Sequence, residues 1–435
     1  MKNIVIVGAG FGGLSVAKTL CRNNSVEVTL IDERNYHLFI PLLYQVAVGA
    51  LSPDDVSIPI RSVFARYPNV KVLKEAVDSI DLRNRRVITC VRAISYDYLV
   101  LACGARHAYF GNDDWEQYAP GLKTLEQALE IRDRILDAFE QAEAAIDDVI
   151  KRKYLSFVVV GGGPTGVELS GAIAEMAHSV LRKDFRNIDL QTTKVYLVEA
   201  GPRILASFSE TSSKQAMRDL QALGVEVRTS LAVTHVDAGG IQALNERIDA
   251  GTVIWAAGVR ASDLNRFLDG EIDRQGRIAI EPDLSVKNHS DVFVIGDQAY
   301  CLDRKTHKPL GGLASVAMQQ GALVAHNILA GIKGQSRRQF QYYDRGQAAT
   351  IGKCRAVVEV GIFKINGFLA WIIWLIIHIW FLMGGVNRIA IILKWFWIYI
   401  ANYQMDRIIL AKEWRFYPAL RPIRKYKEDK TPSKE

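Results

Sequence analysis

Two clusters of glycine residues share the spacing G-x-G-x-x-G. They are Gly8, Gly10 and Gly13 near the start of the chain and Gly161, Gly163 and Gly166 further along it. In such a turn the first glycine permits a tight bend, the second lets a phosphate approach the backbone, and the third lets the following helix pack close to the strand. The free N–H groups at the start of that helix attract the phosphates. One cluster alone is weak evidence, but two, each between a strand-like and a helix-like segment, predict two dinucleotide sites.

Each cluster is followed by a second strand-like run that ends in an acidic residue, Asp32 in the first case and Glu199 in the second. An acid at this position can accept hydrogen bonds from ribose hydroxyls. The interval from Gly166 to Glu199 exceeds the usual spacing of about 20 residues, which indicates a loop inserted at 183–194. Glu199 would repel a 2′-phosphate and therefore favours NADH over NADPH, although Arg203 nearby leaves NADPH open.

Two further glycines follow apolar strands. Gly258 follows the run 252–256, and Gly296-Asp297 follows the run 292–295. Asp297 is well placed to bind the sugar-alcohol chain of a flavin, although a Gly-Asp pair can also simply form a turn. Two nucleotide sites in one chain indicate electron transfer between two carriers, usually a tightly held flavin and a nicotinamide that delivers hydride.

The repeated strand–turn–helix–strand pattern predicts an α/β fold with parallel sheets. Helix-like segments are expected at 125–150, as a connector, and at 313–328. We predict two Rossmann-like dinucleotide-binding domains, the second inserted in the first, and a C-terminal helical region that attaches to a membrane. The predicted parts are 1–115 and 266–335 for the flavin domain, 116–265 for the nicotinamide domain with its connector, and 336–435 for the attachment region.

The composition excludes several classes of protein. The chain has 435 residues, 49% of them hydrophobic, which argues against intrinsic disorder. A net charge of +7 is mild and does not predict nucleic-acid binding. The five cysteines are scattered without a metal-binding or paired spacing, so we expect no metal site, no disulfide scaffold and a reducing compartment. The N-terminus shows no secretory signal pattern.

Taken together, these segments resemble the type II NADH dehydrogenases, single-subunit NADH:quinone oxidoreductases among the two-dinucleotide-binding-domain flavoproteins. The resemblance covers essentially the whole chain. Its early and middle motifs are shared with the wider flavoprotein superfamily, and YHLFIPLLYQ, AMQQG and the apolar C-terminus narrow it. It is carried by IVIVGAGFGG, YHLFIPLLYQVAVGALSP, VVVGGGPTGVELSGAIAE, LVEAGPRIL, VIWAAGV, VFVIGD, AMQQG, ATIGK and GFLAW.

The resemblance implies two cofactors, FAD and NADH, with hydride transfer to the flavin and two-electron reduction of a membrane quinone without proton pumping. Its implied FAD residues are Gly8, Gly10, Gly13, Asp32, Gly296, Asp297 and Ala317. Its implied NADH residues are Gly161, Gly163, Gly166, Glu199 and Gly258.

The resemblance also implies a quinone site. A helix beginning near Ser315 would point its N-terminus at the flavin, whose reduced form carries negative charge there. The quinone signature of the family has the form Ala-Gln-x-Ala-x-Gln, and Ser315 replaces its first glutamine while Ala317 and Gln319 match it. Ser315, Gln319 and Gln320 are the expected quinone residues, although the two glutamines could simply form a polar helix face. Glu168 and Gln319 are the expected catalytic residues, Glu168 as a source of protons for the quinone and Gln319 in binding the quinone. Glu168 could also simply be a first-turn glutamate favoured by the helix dipole.

The C-terminal region is apolar and aromatic. Five of the eight tryptophans lie at 371–397, and 367–386 contains no charged residue. The next apolar run, 389–401, is short and contains Lys394, and nine Lys/Arg against five Asp/Glu follow at 401–435. We expect a monotopic attachment to the cytoplasmic face of the cell membrane, with His378 packing at the lipid interface. Membrane spanning and a buried homodimer interface are the alternatives.

Other activities remain open at this stage. A sulfide:quinone oxidoreductase-like enzyme needs cysteines beside the flavin, and only Cys354 lies in a plausible region. A disulfide reductase needs a close cysteine pair early in the chain, and 36–53 has none. A redox-sensing scaffold that binds FAD and NADH with slow turnover would carry the same glycine motifs.

Overall fold

The computed structural model describes residues 1–181, 184–401 and 406–409. Within these residues the first sheet has six strands, and all neighbours except the pair at one edge run parallel. Its central strands are aliphatic and buried, as expected of a sheet covered on both faces. In spatial order the strands are Ser285–Val286, His289–Val294, Tyr98–Leu101, Lys2–Val7, Val26–Asp32 and Val70–Lys74.

The second sheet is wholly parallel and is formed by a part of the chain that lies between two strands of the first sheet. The predicted α/β class and the insertion of one dinucleotide-binding unit within the other are therefore confirmed, while the domain boundaries stay a prediction. In spatial order its strands are Val225–Arg228, Lys194–Val198, Ser156–Val160 and Thr252–Trp255.

The remaining strands form small sheets. Three are antiparallel triplets: Val77–Asp81, Arg86–Thr89 and Ala93–Ser95; Val233–Asp237, Gly240–Ala243 and Glu246–Asp249; and a C-terminal sheet of Gln347–Gly352, Arg355–Val360 and Phe363–Asn366. Three are pairs: Tyr36–Leu38 with Ser57–Pro59, Ala105–His107 with Val259–Ala261, and Ile278–Ala279 with Ala299–Tyr300.

The helices connect and cover these sheets. The predicted connector at 125–150 is two helices rather than one, because the chain turns at Ala145–Asp147 and the Asp147 carboxylate accepts a hydrogen bond from the Val149 amide to begin the second. In chain order the helices are α1 (Phe11–Leu20), α2 (Leu43–Ala47), α3 (Ile60–Phe64), α4 (Leu125–Ala144), α5 (Asp148–Tyr154), α6 (Pro164–Glu175), α7 (Glu210–Ala222), α8 (Ala314–Ile332), α9 (Gly367–Phe381) and α10 (Gly385–Ala401).

Helix α8 lies directly against α1, the helix of the first glycine turn. A Cβ atom on Gly321 would lie 2.5 Å from the Gly12 carbonyl oxygen, so only glycine permits this approach. The Ser15 hydroxyl donates a 2.7 Å hydrogen bond to the Met318 carbonyl. Close packing of small residues therefore fixes the start of α8 beside the first glycine turn.

The C-terminal sheet lies against α6, the helix of the second glycine turn. A Cβ on Gly171 would lie 1.8 Å from the Ile351 carbonyl oxygen, so α6 and this strand touch through their backbones. Helix α9 packs on the neighbouring strand, and one buried apolar cluster runs from α2 through the second unit to Trp374 and Trp395. The C-terminal helices therefore share a core with the second unit.

The expected apolar segment 367–386 is not a single helix. Helix α9 ends at Phe381, and α10 begins after Gly384, whose φ of +90° breaks the helical path. The Arg388 guanidinium donates to the carbonyls of Leu382 and Trp380 and so satisfies the end of α9. In the part of the chain described, no helix is both long and apolar enough to cross a membrane. The basic tail expected after 401 lies outside the described residues except for 406–409.

Candidate functional site

The first glycine turn has the geometry expected for close backbone packing. Gly8 has a φ of +98°, and a Cβ there would lie 2.4 Å from the Ala102 carbonyl oxygen. A Cβ on Gly13 would lie 1.8 Å from the Gly8 carbonyl oxygen. The Asp32 carboxylate accepts hydrogen bonds from the amides of Ala9, at 2.6 Å, and Arg34, at 2.8 Å. Burial raises the pKa of Asp32 despite these two amide donors.

The second glycine turn repeats this arrangement. Gly161 has a φ of +111°, and a Cβ on Gly166 would lie 1.9 Å from the Gly161 carbonyl oxygen. The Glu199 carboxylate accepts from the amides of Gly162 and Gly201, both at 2.6 Å. In both turns the acid therefore binds the residue after the first glycine and the residue two positions beyond itself.

Both turns are open where a dinucleotide would approach. A Cβ on Gly163 would meet nothing within 4 Å, and one on Gly10 would meet only the Ala102 oxygen at 4.0 Å. These two glycines precede α1 and α6, and neither helix has a side chain that caps its N-terminus. No side chain therefore engages the first N–H groups of α1 or those that follow Pro164 in α6, which suits the pyrophosphates of FAD and NADH.

The surroundings of Glu199 bear on the choice between NADH and NADPH. Its carboxylate is held by two amides at the end of the strand, where the ribose of a nicotinamide dinucleotide would lie. The guanidinium of Arg203 donates to the carbonyls of Phe208, at 2.6 Å, and Ala206, at 2.7 Å. Because Arg203 is engaged with the backbone, the arrangement favours the dinucleotide without a 2′-phosphate.

Gly296 and Asp297 lie at the carboxyl edge of the first sheet. Gly296 has a φ of +69°, and its amide donates to the Gln320 side chain at 2.7 Å. A Cβ on Gly296 would lie 3.3 Å from the Ala317 Cβ, so this turn lies against α8. The Asp297 carboxylate lies 3.6 Å from the Lys123 ammonium. The structure thus brings Gly296, Asp297 and Ala317 together beside the first glycine turn.

Gly258 lies at the corresponding edge of the second sheet. Its φ is +68°, and a Cβ there would lie 2.6 Å from the Phe110 ring and 3.1 Å from the Ala108 carbonyl oxygen. The glycine thus lets two chain segments between the units approach each other. Its role toward NADH stays a prediction.

The expected quinone residues on α8 are all engaged within the protein. The hydroxyls of Ser315 and Tyr342 are 2.9 Å apart. The Gln319 amide donates to the Tyr343 carbonyl at 2.9 Å and accepts from its N–H at 3.0 Å. Gln320 is 1% exposed and binds Gly296 as described above. Sequence reasoning did not find Tyr342 and Tyr343, and no local pattern marks them. The quinone assignment of Ser315, Gln319 and Gln320 stays a prediction.

Glu168 lies on α6 in the wall of a pocket between the second unit and the C-terminal helices. It is 8% exposed, and one oxygen accepts a 3.3 Å hydrogen bond from the Thr350 amide. Burial raises its pKa to about 8, although the Thr350 amide and the Trp374 indole pull the pKa down. The alternative of a first-turn glutamate is wrong, because Glu168 is the fifth residue of α6 and lies beyond the first turn. The raised pKa favours the protonated form of this carboxyl near pH 7.

The pocket contains polar groups that sequence reasoning missed. The lining residues come from α2 and the segment after it, from α6 and α10, and from the C-terminal sheet with its first turn. The Gln45 amide donates to the Tyr44 hydroxyl at 2.9 Å and accepts from the Trp395 indole at 2.8 Å. Glu175 could have been found, because it lies seven residues after Glu168 on the same helix. The lining residues are Tyr44, Gln45, Val48, Ala50, Glu168, Ala172, Glu175, Thr350, Ile351, Gly352, Lys353, Trp395 and Ile398.

The prediction for His378 is wrong. Its ring is 9% exposed and stacks on Trp374, with ring centres 3.9 Å apart, rather than lying at an outer surface. Its Nδ1 lies 2.7 Å from the Trp374 carbonyl oxygen, and burial lowers its pKa to about 4. His378 is therefore a neutral core residue.

Among the described residues, no three His, Cys, Asp or Glu side chains are grouped so that they could hold a metal ion.

Comparisons with known proteins agree with this geometry. Residues 2–321 match the family model described as pyridine nucleotide-disulphide oxidoreductase. The chain is 41% identical over 408 residues to the type II NADH:quinone oxidoreductase Ndh of Mycobacterium tuberculosis, covering 90% of this chain and 87% of that protein.

Two solved structures share the fold. One is NDH2 from Plasmodium falciparum in complex with NADH, with a TM-score of 0.84 and 22% identity over 94% of this chain and all of that one. The other is a sulfide:quinone oxidoreductase from Aquifex aeolicus, with a TM-score of 0.70 and 20% identity over 88% of this chain and 91% of that one. At these identities the two structures indicate the fold alone.

Proposed function

The chain belongs to the pyridine nucleotide-disulphide oxidoreductase family and, within it, to the type II NADH:quinone oxidoreductases, and we propose that it oxidises NADH through a bound FAD and reduces a quinone. The observation that carries this proposal is the duplicated turn. Two glycine turns in one chain hold their acids by equivalent amides and leave equivalent openings above α1 and α6. One carrier in each opening gives a donor and an acceptor for hydride.

When bound, FAD would supply the two-electron chemistry that links a hydride donor to a quinone acceptor. The protein binds and orients the two cofactors. The first turn would hold FAD through Gly10 and the α1 amides, with Asp32 at its ribose and Asp297 at its ribityl chain. The second turn would hold NADH through Gly163 and the α6 amides, with Glu199 at its ribose.

The start of α8 would stabilise negative charge on the reduced carrier. No side chain caps its N-terminus, and a Cβ on Gly312, two residues before α8, would lie 3.0 Å from the Asp297 carboxylate. The positive end of the helix dipole therefore lies beside Asp297. Ser315 and Gln319 lie in the first two turns of the same helix and would position the quinone, with Gln320 behind them.

Glu168 would supply a proton. Its raised pKa keeps it protonated at neutral pH, where an ordinary glutamate would be ionised. The overall balance is NADH + H⁺ + quinone → NAD⁺ + quinol, so one proton per turnover comes from water. A buried acid that donates and is then reprotonated fits this requirement.

We further propose that α9 and α10 attach the protein to the cytoplasmic face of a membrane without crossing it. The polar and apolar faces of α10 are arranged in the opposite way to those of a water-facing helix. The Lys394 ammonium lies 2.6 Å from the Asp55 carboxylate on the inner side, while apolar side chains face outward. Outward aromatic and aliphatic residues suit lipid. Those exposed are Phe368, Leu369, Ile376, Trp380, Val386, Ile389, Ile392, Leu393, Phe396 and Trp397. The homodimer stays a prediction.

The thiols disfavour sulfide chemistry. Cys103 follows Ala102, which contacts the first glycine turn, and burial raises its pKa to about 12. Sulfide oxidation through protein cysteines needs reactive thiolates beside the flavin. A half-buried Cys103 with a raised pKa does not meet that requirement.

The experiment is an anaerobic titration of the purified yellow protein. One equivalent of NADH is expected to bleach the flavin absorbance completely, and NADPH at the same concentration is expected to bleach it far more slowly. Absence of bleaching by NADH would show that the donor is wrong. Equal rates with both dinucleotides would show that Glu199 does not select between them.

A further inference from the structure

The pocket beside Glu168 contains a second acid that the reaction as described does not use. Glu175 lies two turns after Glu168 on α6, about 10 Å along the helix axis at 1.5 Å per residue. Both carboxyls line the same pocket. Ala172 lies between the two acids on the helix and also lines the pocket. Its methyl group leaves space between the two carboxyls that a larger side chain would fill.

The two acids differ in their access to water. Glu168 is 8% exposed, whereas Glu175 is partly exposed and lies beneath the turn at Gly352 and Lys353. The Glu175 carboxylate accepts a 2.5 Å hydrogen bond from the Lys353 amide, and Lys353 is exposed. A path from the surface therefore meets Glu175 first and Glu168 second.

The groups around each acid set its charge. Glu175 faces the positive charges of Lys353 and Arg355, and Glu168 faces the Thr350 amide and the Trp374 indole. Burial raises the pKa of both carboxyls, in Glu175 against the pull of the two cations. Glu168 holds a proton but is poorly placed to regain one directly from bulk water.

We propose that Glu175 passes protons from water at the mouth of this pocket to Glu168, through water molecules in the space beside Ala172. The proposal rests on the proposed function, in which each turnover takes one proton from water. Glu175 gains a proton from water and gives it along the water chain, so that it returns to its starting state after each transfer. It acts through Glu168 and not on the substrate.

The first test is quinone reduction with a water-soluble short-chain benzoquinone at saturating NADH. Glu175→Gln is expected to lower kcat about 10-fold at pH 7.5 and to leave the rate of flavin bleaching by NADH unchanged. Added formate, a small weak acid, is expected to restore most of the lost kcat. Glu210→Gln, at an exposed site on α7, is the matched control and should have no effect. An unchanged kcat in Glu175→Gln, or a loss that formate does not restore, would overturn the relay.

Ala172→Leu separates proton transfer from substrate binding, because it fills the gap and leaves both acids in place. It is expected to lower kcat as Glu175→Gln does, with the KM for quinone unchanged. A large rise in KM with kcat retained would mean that the pocket holds the quinone itself, and the relay would be wrong.

The second test needs no quinone, so it decides the relay even if the quinone activity failed. The infrared band of the protonated Glu168 carboxyl is identified by its loss in Glu168→Gln, and its shift is followed after rapid mixing of the holoenzyme with D₂O. Exchange is expected to be at least 10-fold slower in Glu175→Gln and Ala172→Leu than in the wild-type protein. Equal exchange rates would overturn the proposal.

Discussion

Replacing Glu168 by glutamine should stabilise the protein at alkaline pH and slow quinone reduction. Burial raises the pKa of this carboxyl from 4.5 to about 8. Between these two pH values the unfolded chain loses the proton while the folded chain retains it, so the free energy of unfolding falls as pH rises. The stability that the protonated Glu168 carboxyl contributes is fully present below pH 4.5 and is lost above pH 8. A neutral amide of the same shape avoids this loss.

The magnitude follows from the shift. A difference of about three and a half pKa units, at 1.36 kcal/mol each, lowers the free energy of unfolding of the wild-type protein by about 5 kcal/mol at pH 8 and above. For 435 residues unfolding together, an unfolding entropy of about 2.1 cal/mol/K per residue converts this to a rise in Tm of about 5 °C for Glu168→Gln. At pH 4.5 the two proteins should melt together.

The assay is thermal unfolding of both proteins at several pH values between 4.5 and 9, with Glu210→Gln as a control. Pairing with Lys214 lowers the pKa of the exposed Glu210 carboxyl, so any change in Tm caused by Glu210→Gln should be nearly the same across most of this pH range. The same Glu168→Gln protein should lose about 100-fold in kcat for quinone while NADH still bleaches its flavin at the wild-type rate. A Tm difference that is independent of pH would refute the buried, protonated carboxyl. Unchanged quinone turnover would refute its role as a proton donor.

Four other substitutions test three separate parts of the structure. Gly166→Ala places a Cβ 1.9 Å from a carbonyl oxygen and should lower the free energy of unfolding by about 1–3 kcal/mol, seen as a lower Tm. Gly163→Ala should keep the wild-type Tm and raise the KM for NADH, because Gly163 faces open space. Equal Tm values for the two variants would contradict this geometry. Ser315→Gln removes the contact with a tyrosine hydroxyl and should alter the KM for quinone without affecting bleaching by NADH, so unchanged quinone kinetics would count against it. Lys394→Ala leaves the buried Asp55 carboxylate without its cation and should lower the free energy of unfolding by about 3 kcal/mol, measured by denaturant titration. No change would show that α10 is held by its apolar face alone.

The glycine turns could be predicted from sequence because their physics is local. Gly8 and Gly161 need a positive φ, and the acids that bind their neighbours follow at the end of the next strand. The strand, turn and helix lie within one continuous segment in each case. The same local patterns predicted that the second unit is inserted within the first, because each parallel pair of strands needs a crossover connection between its strands.

The C-terminal half of the site could not be predicted in this way, because distant residues form it. Glu168 meets the Thr350 amide only because Gly171 lets α6 touch the C-terminal sheet. His378 lies in an apolar, tryptophan-rich segment and could be assigned to lipid on composition, yet it is buried on Trp374. Which face of an apolar helix is buried depends on its neighbours, and these are not adjacent in the sequence.

The central claim is electron transfer from NADH to a quinone through one bound flavin. Double-mixing absorbance spectroscopy under anaerobic conditions tests it most directly: the protein is first bleached with one equivalent of NADH and then mixed with a short-chain benzoquinone. We expect the flavin absorbance to return within the turnover time and one quinol to form per NADH. A flavin that stays bleached with quinone and recovers only when air is admitted would contradict the claim.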